Sequence, residues 1–226
     1  MSPAGIDWQQ YIDAYCERTS PAFWAEPLNA VTNAAFLVAA FALALRLRTL
    51  TRAGGGVHPS LWLLVLLLAS IGVGSFLFHT FARRWASLAD VLPIYLFMHA
   101  YAACFLRWRI GWRWRVAWLG APAFLLFAQA VALVVPPATL GMGGYAPALL
   151  ALAGFALWLW RRADERWRAL GGAALLFALS LTLRQSDLPL CEQWPLGTHF
   201  LWHLLNALVL YVVTRALLPP PPRSAA

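Results

Sequence analysis

The chain has 226 residues, 62% of them hydrophobic and 12% charged, with a formal net charge of +8 at pH 7. Ordinary soluble domains are about 25% charged, so this composition excludes one and points to a protein whose solvent is the bilayer. All 17 basic residues are arginine. They read as a topological signal and an attraction to anionic lipid rather than as a nucleic-acid footprint, and no nucleic-acid partner is expected.

Residues 1–27 contain Asp7, Asp13, Glu17 and Glu26, with no basic stretch leading into an apolar one, so no cleavable signal peptide is predicted. Apolar runs of spanning length follow at 28–46, 61–81, 88–106, 116–135, 145–160, 169–184 and 198–218, the fifth and sixth being short. Pro219 to Pro222 open a Pro-rich tail over 219–226. The expected fold is an all-α membrane protein, a seven-transmembrane-helix bundle forming one domain over 1–226. Its parts are an acidic external segment (1–27), the helices (28–218) and the tail.

The first, third and fifth connections and the C-terminus hold 13 arginines, among them Arg46, Arg107, Arg161 and Arg215, against 4 on the other side (Arg18, Arg83, Arg84 and Arg184). The positive-inside rule then sets the N-terminus outside and the C-terminus in the cytoplasm. Trp108, Trp112, Trp114, Trp118, Trp160 and Trp167 cluster near the same arginines, as an interfacial belt would. The lysine-free composition suggests a GC-rich bacterial gene and a multi-pass protein of the bacterial inner membrane.

Ionisable side chains at membrane depth are costly and mark functional sites. Here they are His79 at the end of the second run, Asp90 at the start of the third, and His199 and His203 at the start of the seventh. In the predicted topology all four fall in the outer half of the membrane. Residues four apart share a helix face, so Ser75 lies with His79, and His199 with His203 and Asn206. Three imidazoles with an open position for water are the ligand set of a catalytic zinc, and the chain reads as a membrane-embedded metal hydrolase. His99, nine residues past Asp90, falls on the opposite face of its helix and reads as structural. His58 falls in a cytoplasmic connection and is expected to be solvated.

Ser75-x-x-x-His79, Asp90 eleven residues on, and His199-x-x-x-His203 in the last helix resemble the alkaline ceramidases, of the seven-helix hydrolase superfamily that also holds the adiponectin receptors. The stretches Tyr15-Cys16-Glu17-Arg18-Thr19 and Phe23-Trp24-Ala25-Glu26-Pro27-Leu28-Asn29 are similar to the family's entry segment. The resemblance implies zinc bound by His79, His199 and His203, Asp90 acting on the activated water, and Ser75 near the reacting carbonyl. It also implies a calcium site in the N-terminal segment, with Asp13, Glu17 and Glu26 as the available carboxylates. The family's usual Asp-Trp-Cys-Glu-x-Asn reads Ala14-Tyr15-Cys16-Glu17-Arg18-Thr19 here, so two oxygen ligands are lost or displaced, and a solvated acidic segment is the alternative. The resemblance further points to a Cys16–Cys191 disulfide, on the side where oxidation is permitted, with Cys104 inside the third helix.

The expected activity is zinc-dependent, ceramidase-like hydrolysis of a lipid amide, such as a ceramide or another N-acyl lipid, to a fatty acid and a sphingoid-type amine. A lipid receptor or sensor of the adiponectin-receptor type is the alternative. Its topology would place the N-terminus inside, contrary to the arginine count.

Overall fold

A computed structural model of the protein describes residues 5–134 and 143–219. Among these the regular elements are helical. Glu26 leads into a short helix α1 (Pro27–Thr32), where proline at the first position loses no intrahelical bond. The chain breaks at Asn33 and continues as α2 (Ala34–Arg52), so the first predicted run is two helices in one span. Then follow α3 (Pro59–Phe81), α4 (Arg84–Phe105), whose last turns widen into a π-turn (Leu106–Ile110), a short α5 (Trp114–Ala117) and α6 (Gly120–Val134). Beyond residues 135–142 come α7 (Ala146–Arg161), α8 (Trp167–Ser186) and α9 (His199–Leu217).

Six segments are long and apolar enough to cross a membrane: Pro27–Arg52, Pro59–Phe81, Arg84–Ile110, Trp114–Val134, Trp167–Ser186 and His199–Leu217. The sixth predicted run is thus a 20-residue helix rather than a short one. The fifth, α7, is apolar with 16 described residues, about 24 Å at 1.5 Å per residue against a hydrocarbon core of about 30 Å. Of the seven spans expected, six are therefore long and apolar enough to cross, and the fifth is this shorter apolar helix. The Pro-rich tail from 220 on lies outside the described residues.

The helices close into a ring in which α2 packs on α3, α3 on α4, α4 on α6, α6 on α7, α7 on α8, α8 on α9 and α9 back on α2. Leu43, Leu47, Leu64, Leu68, Phe105, Leu159 and Leu181 fill its interior. Val38, Leu66, Leu126 and Leu175 point outward and are largely exposed; lipid tails are as apolar as leucine, so only a soluble protein would suffer from this surface.

The two ends of the ring differ. At the arginine-rich end, the His58 ring accepts from the Ser60 N–H (3.1 Å), caps α3 and stacks on Trp114 at 4.6 Å. His58 is therefore not the solvated loop residue expected; a helix start and an indole face occupy it. Arg109 donates to the Leu217 carbonyl at that same end (2.6 Å). At the opposite end the N-terminal segment lies across the α3–α4 connection. Tyr11 and Arg83 form a β-bridge, and Ile12 donates to the carbonyl of Ala82 (2.8 Å).

Candidate metal centre and reaction chamber

His79 sits in the last turn of α3; His199 opens α9 and His203 follows one turn later. The structure brings all three together: one ring nitrogen from each lies within 4.8 Å of the others. All three side chains are buried. His79 Nε2, His199 Nδ1 and His203 Nε2 have no hydrogen-bond partner among the described residues. A buried polar atom left unpaired costs about 1–3 kcal/mol, so three at one point call for a shared partner. A cation binding neutral imidazole nitrogens satisfies them together, and this donor set fits zinc.

The outward-facing nitrogens are fixed. Thr32 Oγ1 spends its proton on the Leu28 carbonyl (2.8 Å), so it accepts from His203 Nδ1 (3.0 Å). Glu26 accepts from His79 Nδ1 (2.6 Å). Both bonds select the tautomer that leaves Nε2 free for a metal, the usual second layer of such sites. His199 is held differently. Tyr15 stacks on its ring (centroids 3.6 Å apart), and Asp187 accepts from its backbone N–H (2.9 Å), from Thr198 N–H (2.7 Å) and from Cys16 N–H (2.9 Å). Asp187 thus caps α9 at the residue that carries a candidate ligand. Gly197 makes room for this carboxylate: its φ is +64°, and a Cβ there would strike Asp187 Oδ1.

The N-terminal segment departs from the expected calcium site. Asp13 is exposed. Glu17 is spent on the backbone N–H groups of Leu28 (2.7 Å) and Asn29 (2.8 Å) at the start of α1, and burial pushes its carboxyl up. Glu26 is paired with Arg18 and His79. Burial works against the Glu26 charge, but the His79 ring and the Arg18 guanidinium outweigh it and hold the carboxyl below the ordinary glutamate range. Among the described residues the three histidines are the one metal-competent cluster; Asp13, Glu17 and Glu26 do not converge. The expected disulfide is present: Cys16 and Cys191 are bonded across 175 residues of sequence, and Cys104 is free and buried in α4.

Beside the histidines lies a cavity of about 220 Å³ into which Tyr15, Ser75, Asp90, Tyr145 and Arg184 project. Asp90 stands in the second turn of α4, and the Ser75 hydroxyl of α3 adjoins its carboxylate. Arg184 is held over the rings of Tyr145 and Trp202, each 5.6 Å from its guanidinium carbon. Burial pushes the Tyr15 phenol up to about 12, which keeps its proton in place at neutral pH. A second, almost wholly apolar cavity of about 100 Å³ shares Phe36, Ile71, Ile94, Tyr145 and Trp202 with the first and continues between α4, α7 and α9. Asn206 lines this second cavity. His99 stays apart, bonded to the Tyr95 carbonyl (2.7 Å) and packed on Phe124.

Sequence reasoning missed the positioning of the histidines by Glu26, Thr32 and Asp187, and the chamber walls Tyr15 and Arg184. Only Glu26 carried a local signal, an acid directly before the Pro27 helix start. The family model for ceramidase matches residues 12–218, nearly the whole chain. No curated protein matches the sequence. With the histidine cluster, the adjoining acid and the helical ring all inside the matched region, the chain belongs to the ceramidase family.

Proposed function

We propose that this chain is a zinc-dependent intramembrane hydrolase of lipid amides, cleaving a ceramide or a related N-acyl lipid to a fatty acid and a sphingoid-type amine. The observation that carries the reading is the convergence of three unpaired histidine nitrogens beside Asp90, at the junction of a polar and an apolar cavity. When bound by His79, His199 and His203, zinc supplies an acidified water and a Lewis acid toward a carbonyl oxygen.

The chain's own residues do the rest. Asp90 accepts the proton of the attacking water and returns it to the amine nitrogen as the carbon–nitrogen bond breaks. The Ser75 hydroxyl, next to Asp90, is placed to donate to the carbonyl oxygen as charge develops on it. The apolar cavity takes the acyl chain, and the N-terminal segment, fastened by Cys16–Cys191, covers the polar one. The arginine asymmetry supports a site in the outer leaflet, with the C-terminus in the cytoplasm of a bacterial inner membrane.

The test is mass-spectrometric detection of fatty acid released from ceramides, other N-acyl lipids and ester lipids. Asp90→Asn keeps the histidines and should keep zinc, yet lose about 10²- to 10⁴-fold in turnover; Ser75→Ala should lose less. Equal inactivity of wild type and Asp90→Asn on every lipid, with zinc fully bound, would favour a receptor. Cleavage of esters alone would remove the amidase assignment.

A further inference from the structure

We propose that Arg18 is the built-in cation of the N-terminal segment: its guanidinium fills the place a divalent ion would take and, through Glu26, holds His79 in its metal-binding orientation, so that the protein needs no calcium. Arg18 is only 4% exposed, and its donors are distributed over an all-oxygen cradle. Nε bonds Glu26 Oε1. Nη1 faces the carbonyls of Ser20 (3.1 Å) and Ala22 (3.4 Å), and Nη2 donates to the carbonyl of His79 (2.8 Å). One carboxylate and three carbonyls around a single positive charge are the kind of set a hard cation takes. Here the charge belongs to a side chain.

Charge balance argues the same way. Glu26 and Arg18 neutralise each other within the buried cradle. Glu17 is already engaged by two backbone N–H groups, and Asp13 stands outside in solvent. A calcium ion would add two positive charges beside a buried guanidinium, with Glu17, whose oxygens are already taken by backbone N–H groups, as the segment's remaining buried acid to offset them, and like charges in a poorly screened interior repel strongly.

The guanidinium also reaches His79 twice, directly at its carbonyl and through Glu26 at Nδ1 (2.6 Å). Asn29 Nδ2 braces the same Glu26 oxygen (3.1 Å). Arg18 is therefore a positioning residue: it touches no reacting atom but sets the ring that does. Outer partners of this kind are typically worth about 10- to 100-fold in metal affinity.

The proposal rests on His79 being a metal ligand, and the experiment separates the two. The full-length protein is purified, dialysed against calcium-free buffer and then against millimolar calcium. Zinc and calcium are counted by elemental analysis, and zinc affinity is measured by competition with a chromogenic chelator. Wild type should hold zinc but no stoichiometric calcium, with the same zinc affinity in both buffers. Arg18→Ala should bind zinc about 10- to 100-fold more weakly, and millimolar guanidinium, but not sodium, should restore part of the loss. Arg18→Lys, which keeps the charge without the fork, should fall between and serves if the alanine variant does not fold. Zinc-free wild type would defeat the metal-centre reading itself. Zinc-loaded wild type carrying one calcium per chain, or Arg18→Ala with undiminished zinc affinity, would overturn the role of Arg18.

Discussion

Gly74→Ala adds one methyl group between the two helices that carry Ser75, His79 and Asp90. Pro93 has no N–H to give to the carbonyl four residues back, that of Ala89. This carbonyl lies against Gly74, and a Cβ at position 74 would overlap its oxygen, with the Ala89 carbonyl carbon at 2.6 Å and Asp90 N at 3.0 Å. Restoring ordinary contact at 3.4 Å takes about 0.8 Å for the Ala89 carbonyl carbon alone and more for its oxygen, so α3 and α4 must part by upward of that, and interiors packed this densely do not absorb such a shift elsewhere. Overpacking of this kind costs about 1–3 kcal/mol. The larger effect falls on chemistry, because Ser75 and Asp90 are the immediate neighbours of the clashing atoms, and a misplacement near 1 Å costs about 10²-fold in rate. Thermal unfolding and fatty-acid release would be measured together, with zinc content as a check that the histidines remain assembled. Gly154→Ala is the control: nothing lies within 4 Å of its added Cβ, and its stability should change by less than about 1 kcal/mol. Wild-type turnover and stability in Gly74→Ala would refute the argument that this close approach sets the geometry of the site.

His199→Ala should lower zinc content sharply, and full retention by elemental analysis would remove it from the ligand set. An alkaline phosphatase fused after Ala226 should be inactive, because 13 arginines against 4 predict a cytoplasmic C-terminus; an active fusion would move the site to the inner leaflet. Thiol counting on denatured, unreduced protein should find one reactive group, Cys104, and three would rule out the Cys16–Cys191 bond.

The sequence by itself determined the solvent of this protein, the rough course of its helices and the layer in which its three buried histidines meet. Hydropathy is a property of consecutive residues, so the spans were legible from their lengths. His199 and His203 share a face because they are four apart, and the same spacing links Ser75 to His79. Placing His79, Asp90 and His199 at one depth needed only the alternation of helix direction. Even there, local reading missed that Asn33 breaks the first span, and that His58 caps a helix and stacks on Trp114. The tertiary structure alone decided what holds the site. Glu26 meets His79 across 53 residues, Thr32 meets His203 across 171, and Asp187 receives Cys16 across 171. It also decided that Glu26 pairs with Arg18 and His79. Nothing in the spacing of such residues marks them as partners. A hydrogen bond between distant segments depends on how the helices are arranged around the ring and how the N-terminal segment is laid over it, and that arrangement is set by the packing of the whole bundle rather than by any local period.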